Sequence, residues 1–267
     1  MKRYLAFMCG CLLLLCGCAG KSVPEWRTAS FSHLERYKSD FLSGKDTTAE
    51  FHFQKAIEEI KRSGDLSLLM TAYLTRSALR IAVLETPDHR EYLEIAKANP
   101  AGADRQKNYY LLLAGSFDSL QREHLPPSYQ DLAAALERGD REEISGSVHR
   151  IRDDLSRLIA TGLAVSYRGE DEALLTGAVD LASVHGWRRP LLIYLDRLKS
   201  FYRSRSEMEK EEKIRRKIEL LSSRSGMWSK PGPACCIPEM PGGFDKAFWS
   251  QGTAFQGKIA MKGQAGR

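Results

Sequence analysis

Residues 66–84 read LSLLMTAYLTRSALRIAVL. Arg76 and Arg80 are the only charges in this run, so as a helix it presents apolar side chains nearly all the way round. Such a helix cannot lie on a surface and is expected between layers. Its borders support a helix. Gly64-Asp65 stops the preceding segment with a glycine and starts this one with an N-cap carboxylate. Thr86-Pro87-Asp88 reads as a cap, a proline at the first helical position and an acid behind it, opening the next helix.

The same periodicity extends outward from this run in both directions. Phe53, Ala56, Ile57 and Ile60 recur at i, i+3, i+4 and i+7, as do Tyr110, Leu113, Ala114 and Phe117, and Tyr129, Leu132, Ala133 and Leu136. Ile144, Val148, Ile151, Leu155, Leu158 and Ile159 hold one stripe for four turns, and Leu191, Leu195, Leu198 and Tyr202 hold another. Gly139-Asp140 repeats the stop–start signal, Pro126-Pro127-Ser128 makes a longer break, and Thr47/Glu50 and Ser206/Glu209 have capping-box spacing. About ten helices are expected, near 31–43, 46–62, 66–84, 88–98, 103–119, 129–138, 141–160, 170–185, 188–204 and 207–222. Short connections make sequential helices antiparallel neighbours. The last helix has only Met208, Ile214, Ile218 and Leu221 to pack. Its Glu209–Lys213, Glu211–Arg215 and Glu212–Arg216 pairs are in the favourable order, as in a polar cap closing a stack.

Two stretches resemble tetratricopeptide-like repeats. Gly44, Ala49, Phe53 and Ala56 have the spacing of the turn and second helix of such a unit, and Leu195, Leu198 and Tyr202 that of a first helix. In the second stretch Ser206 replaces the turn glycine and Glu211 stands where a small residue is usual, and no unit carries the full motif. The expected fold is all-α: an irregular α-solenoid of antiparallel helical hairpins over residues 31–222. A compact helical bundle is the alternative.

The first residues are an address. Met1-Lys2-Arg3-Tyr4 precedes an apolar run from Leu5 to Cys16, then Gly17-Cys18-Ala19-Gly20, which is a basic head, a short apolar core and small residues. Leu15-Cys16-Gly17-Cys18 resembles the lipobox of bacterial lipoproteins, with an unusual Cys before Gly17. The resemblance implies cleavage of residues 1–17 and a diacylglycerol thioether on Cys18, then acylation of its freed amine. Stable anchoring needs two or more chains. With Ala19 in second place it favours the outer membrane over the inner one in a diderm host. Residues 18–30, with Trp26, read as a tether. Losing Lys2 and Arg3 lowers the formal net charge from +6 to +4.

Residues 223–267 are a different material: eight Gly, four Pro and no periodicity, hence an expected disordered tail. Arg224, Lys230, Lys246, Lys258, Lys262 and Arg267 outnumber Glu239 and Asp245, giving +4 among the aromatics Trp228, Phe244, Phe248, Trp249 and Phe255. Such a tail could hold anionic lipid or cell-wall polymer, or simply be solvated. Four of the six cysteines lie in the first eighteen residues, and Cys235 and Cys236 are adjacent, so no disulfide scaffold is expected.

Motifs for catalysis are missing: no His-Glu-x-x-His, no Gly-x-Ser-x-Gly, no complete P-loop, and no metal-ligand spacing among His33, His52, His89, His124, His149 and His185. No cofactor, metal or nucleic-acid partner is expected. The reading is a membrane-anchored, non-catalytic envelope scaffold that holds a protein partner. The alternative is an enzyme acting on cell-wall glycan through carboxylates. Candidate contact residues are Arg76, Arg80, Tyr109, Arg188, Arg189, Tyr194 and Arg197, since Tyr and Arg dominate interface hot spots.

Overall fold

A computed structural model describes residues 24–99 and 103–222. The lipobox with Cys18, and the tail from 223 onward, lie outside the described residues. Within them the chain is all-helical: eleven α-helices, two 3₁₀ turns and no strand. The helices are α1 (Glu25–Ser43), α2 (Asp46–Ser63), α3 (Leu66–Ala82), α4 (Arg90–Ala98), α5 (Asp104–Leu113), α6 (Pro127–Arg138), α7 (Arg141–Arg150), α8 (Asp154–Arg168), α9 (Glu172–Val184), α10 (Arg188–Ser204) and α11 (Met208–Ser222). The 3₁₀ turns, Phe117–Ser119 and Arg122–His124, bridge α5 to α6.

The apolar helix sits where its composition demands. α3 touches α1, α2, α4, α5 and α8, and buries Leu69, Met70, Leu74, Ala78, Leu79 and Ile81. It crosses α8 at Gly162, where a Cβ would overlap the Ile81 carbonyl oxygen and lie 3.1 Å from Ala82 Cα. A side chain there would push the two helices apart, so glycine sets their separation. Antiparallel hairpins continue on either side: α1 on α2, α6 on α7, α9 on α10 and α10 on α11. α10 also returns to α1, closing the end of the series on its beginning. This arrangement has the hairpin order of a solenoid and the closure of a bundle.

Both Gly-Asp junctions form as read. Gly64 (φ 69°) and Gly139 (φ 72°) take left-handed conformations that end α2 and α6. Asp65 accepts from Leu68 N, and Asp140 from Glu142 N and Glu143 N. Elsewhere the boundaries differ from expectation. α1 begins at Glu25, so residues 25–30 are helix and not tether. α4 begins only at Arg90, because the Asp88 carboxylate accepts from Arg90 N and its guanidinium, and Thr86-Pro87 stays extended. Neither capping box forms: α2 starts at Asp46 without a side-chain cap, and Ser206 takes φ 59° before α11. The helix expected over 103–119 stops at Leu113, where the Tyr167 ring lies against Gly115 at φ 73°.

The helix expected over 141–160 is two helices. The stripe continues through both, with Ile144, Val148, Ile151, Leu155, Leu158 and Ile159 all buried. Ile151, however, turns to an extended conformation and Asp153 caps a new helix, accepting from Ser156 N at 2.7 Å. In α11, Ile214, Ile218 and Leu221 pack on the core while Met208 is exposed. Glu212–Arg216 pairs as expected at 2.7 Å, but Glu211 is buried and binds Arg203, leaving Arg215 to Glu212 and Glu219.

Candidate functional site

A groove lined by residues on both sides of the break at Ile151–Asp153 forms the site. α8 packs on α7 and on α9. A groove of about 320 Å³ lies where the three meet. α8 contributes Asp154, Arg157 and Thr161, which fall on one helical face, and α7 contributes Val148 and His149. α9 lines the groove along its length with Ala173, Leu174, Gly177, Asp180, Leu181 and Val184. Gly177 lies on an open stretch of this wall, where a Cβ would meet nothing within 4 Å. Val184, 83% exposed, is an uncovered apolar rim at one end.

Most polar groups around the groove are already engaged. Asp154 pairs with Arg157 and accepts from His185 Nε2 at 2.7 Å, and the His185 ring stacks on Trp187 with centroids 4.4 Å apart. The Thr161 hydroxyl donates to the Arg157 carbonyl, and His149 Nδ1 donates to the Ser145 carbonyl at 2.7 Å. Asp180 is the exception. It is exposed, and among the described residues it makes no ion pair or hydrogen bond. An apolar wall with one uncompensated carboxylate suits an amphipathic segment that carries a cation. The described residues hold no group of three or more His, Cys, Asp or Glu that could bind a metal.

The seven residues singled out in the sequence go elsewhere. Tyr109 (2% exposed) and Tyr194 (0% exposed) belong to the core and cannot meet a partner, because their rings complete the periodic apolar faces of α5 and α10. Burial raises both phenol pKa values. Arg76, Arg80 and Arg189 are brought together where α1, α2, α3 and α10 converge. Arg76 lies over the Phe53 ring at 4.7 Å and pairs with Glu50 at 3.1 Å. Arg80 pairs with Glu85 at 3.1 Å. Arg189 lies over Phe41 at 4.2 Å, pairs with Asp46, and shares Glu85 at 3.6 Å. Beside them Tyr37 has its pKa raised by burial, against the opposing pull of Arg76 and Arg80. Each guanidinium has a carboxylate, so the cluster ties α10 to the first three helices. Arg188 donates to the Leu221 carbonyl and Arg197 pairs with Glu170 at 3.4 Å, both tying neighbouring elements.

The groove residues were not singled out by periodicity, because an apolar face that lines a groove has the same 3.6-residue spacing as one that meets another helix. The one usable signal was Gly177, a glycine in the interior of a helix rich in Ala, Leu and Val. Comparison with known protein families, with characterised proteins and with solved structures found no match in any of the three.

Proposed function

We propose that the chain is a lipid-anchored scaffold of the cell envelope whose groove between α7, α8 and α9 holds a segment of a partner protein. The groove is the observation that carries this reading: it is open along α9, apolar on one wall, and holds a carboxylate without a counter-ion. The lipobox-like Leu15-Cys16-Gly17-Cys18 supports the anchor, with the lipid on Cys18. No helix among the described residues is long and apolar enough to cross a membrane. Confinement to a surface raises the effective concentration of any neighbour within reach.

The test is co-purification under gentle extraction of wild type against Gly177→Leu. The leucine fills the groove at a position with free space, and it favours helix by about 0.8 kcal/mol relative to glycine. Loss of a specific partner with unchanged circular dichroism supports the reading. The enzyme reading makes a different demand: the pure protein cleaves cell-wall glycan, and Asp154→Asn or Asp180→Asn abolishes it. Metabolic palmitate labelling tests the anchor: Cys18→Ala must lose both label and membrane partitioning.

A further inference from the structure

A second polar centre lies away from the groove, where α1, α2, α3 and α10 meet. Arg76 and Arg80 stand one turn apart on α3, and Arg189 enters from the first turn of α10. Two of the three guanidinium planes are fixed by aromatic faces: Arg76 lies over Phe53 at 4.7 Å and Arg189 over Phe41 at 4.2 Å. Their anions are less firmly held. Asp46 and Glu50 are exposed, and each serves one arginine. Glu85 alone bridges two of them: its Oε2 accepts from Arg80 at 3.1 Å and its Oε1 pairs with Arg189 at 3.6 Å. It is carried by the turn after α3, where Leu84 takes the left-handed φ of 56° that is ordinarily left to glycine. Beside this centre Tyr37 is only 2% exposed, yet its hydroxyl makes no hydrogen bond among the described residues. The charges that act on it are those of Arg76, Arg80, Glu50 and Arg189. A hydroxyl so deeply placed is expected to have a partner.

We propose that this centre binds a phosphate group, and that the Glu85 carboxylate is its resident stand-in. A tetrahedral oxyanion replaces Glu85 between Arg80 and Arg189 and brings what a carboxylate lacks, further oxygens for Arg76 and for the Tyr37 hydroxyl. Planar guanidinium donors suit phosphate in this way, and those of Arg76 and Arg189 are already held flat on their rings. The exchange is local: Glu85 swings out to solvent with its turn, while Asp46 and Glu50 stay at the exposed rim. The arginines come from α3 and α10, so a bound phosphate fastens the end of the helical series to its beginning. This site is independent of the groove, with which it shares no residue.

The experiment is calorimetric titration of the full chain in mild detergent, at an ionic strength held constant with chloride. The probes are inorganic phosphate, glycerol phosphate and acetate. Phosphate is expected to bind once per chain. Glu85→Gln removes the competing charge and is expected to tighten binding about tenfold, while Tyr37→Phe keeps the ring and is expected to weaken it about tenfold, the scale of one hydrogen bond to a charged group. Arg80→Gln is expected to abolish it. Tighter binding of glycerol phosphate assigns the site to a phosphate ester, as in a lipid or polymer headgroup, and tighter binding of the inorganic ion assigns it to free phosphate; either supports the proposal. No phosphate binding in wild type and in Glu85→Gln overturns it. So does binding that Tyr37→Phe and Arg80→Gln leave unchanged, which puts the anion elsewhere on a basic chain. Acetate bound as tightly as phosphate also overturns it, since the centre is then a plain set of ion pairs. Circular dichroism separates loss of ligand from loss of fold, and Glu85→Gln with Tyr37→Phe decides the matter if Arg80→Gln does not fold.

Discussion

Gly162 and Gly177 sit on successive helices, and neither has an unusual backbone. Around Gly162 the space is used up: α3 passes so close that a single methyl group would strike its backbone. Around Gly177 there is open space. The first glycine lets two helices touch, and the second leaves room beside one. The centre of this body is thus close-packed, and its α9 face is not. A helix glycine costs roughly 0.5–1 kcal/mol relative to alanine. At Gly162 packing offsets that cost; at Gly177 nothing in the body does.

This contrast is sharpest under the same substitution. Gly162→Ala is expected to lose about 1–3 kcal/mol through overpacking against a backbone that cannot yield, read as a lower denaturant midpoint in chemical unfolding. Gly162→Ala with wild-type stability would break the comparison at its first member. Next in size, Asp153→Ala removes the cap that separates α7 from α8 and should cost about 1 kcal/mol in the same assay. Gly177→Ala is expected to do the reverse of Gly162→Ala and gain roughly 0.5–1 kcal/mol. A loss there would mean that α9 is covered in the folded body and that the groove is closed.

The smallest effect lies away from both glycines. His33, whose Nδ1 meets His52 Nδ1 at 3.0 Å, has its pKa lowered by burial and by the charges of His52 and Arg36. Burial also lowers the pKa of His89 beside Ser77. With folded values below the ordinary 6.5, the unfolded chain binds more protons, so stability rises with pH through this range. The contribution is complete above pH ~7 and lost as pH falls from about 6.5 through the folded values. Thermal midpoints at pH 7.5 and 5.5 should differ in that sense, and His33→Gln with His89→Gln should shrink the difference.

The central helix was readable because an apolar run with two arginines has few alternatives, and the Gly-Asp junctions because left-handed glycine and a capping carboxylate are local chemistry. The split at Ile151–Asp153 was hidden, since the apolar stripe runs unbroken across it and only the Asp153 cap marks the turn. Thr86-Pro87-Asp88 misled for the opposite reason: a good cap pattern lost to Asp88 binding Arg90. Tyr109 and Tyr194 were chosen by residue type and fall outside the expected stripes, which held their neighbours Tyr110 and Leu195; the structure buries both of them. Arg76, Arg80 and Arg189 do converge, but their carboxylates come from α2 and from the turn after α3, and sequence spacing does not show such meetings.

The most direct test of the groove as a docking site is photo-crosslinking in intact cells from a reactive amino acid placed at Val184, with Met208 as control. Both side chains are largely exposed, at 83% and 67%, but only Val184 lines the groove. A discrete adduct with another protein from position 184, missing at 208 and lost when Gly177→Leu is added, is the predicted result. Identical adducts from both positions, or none from 184, would contradict it.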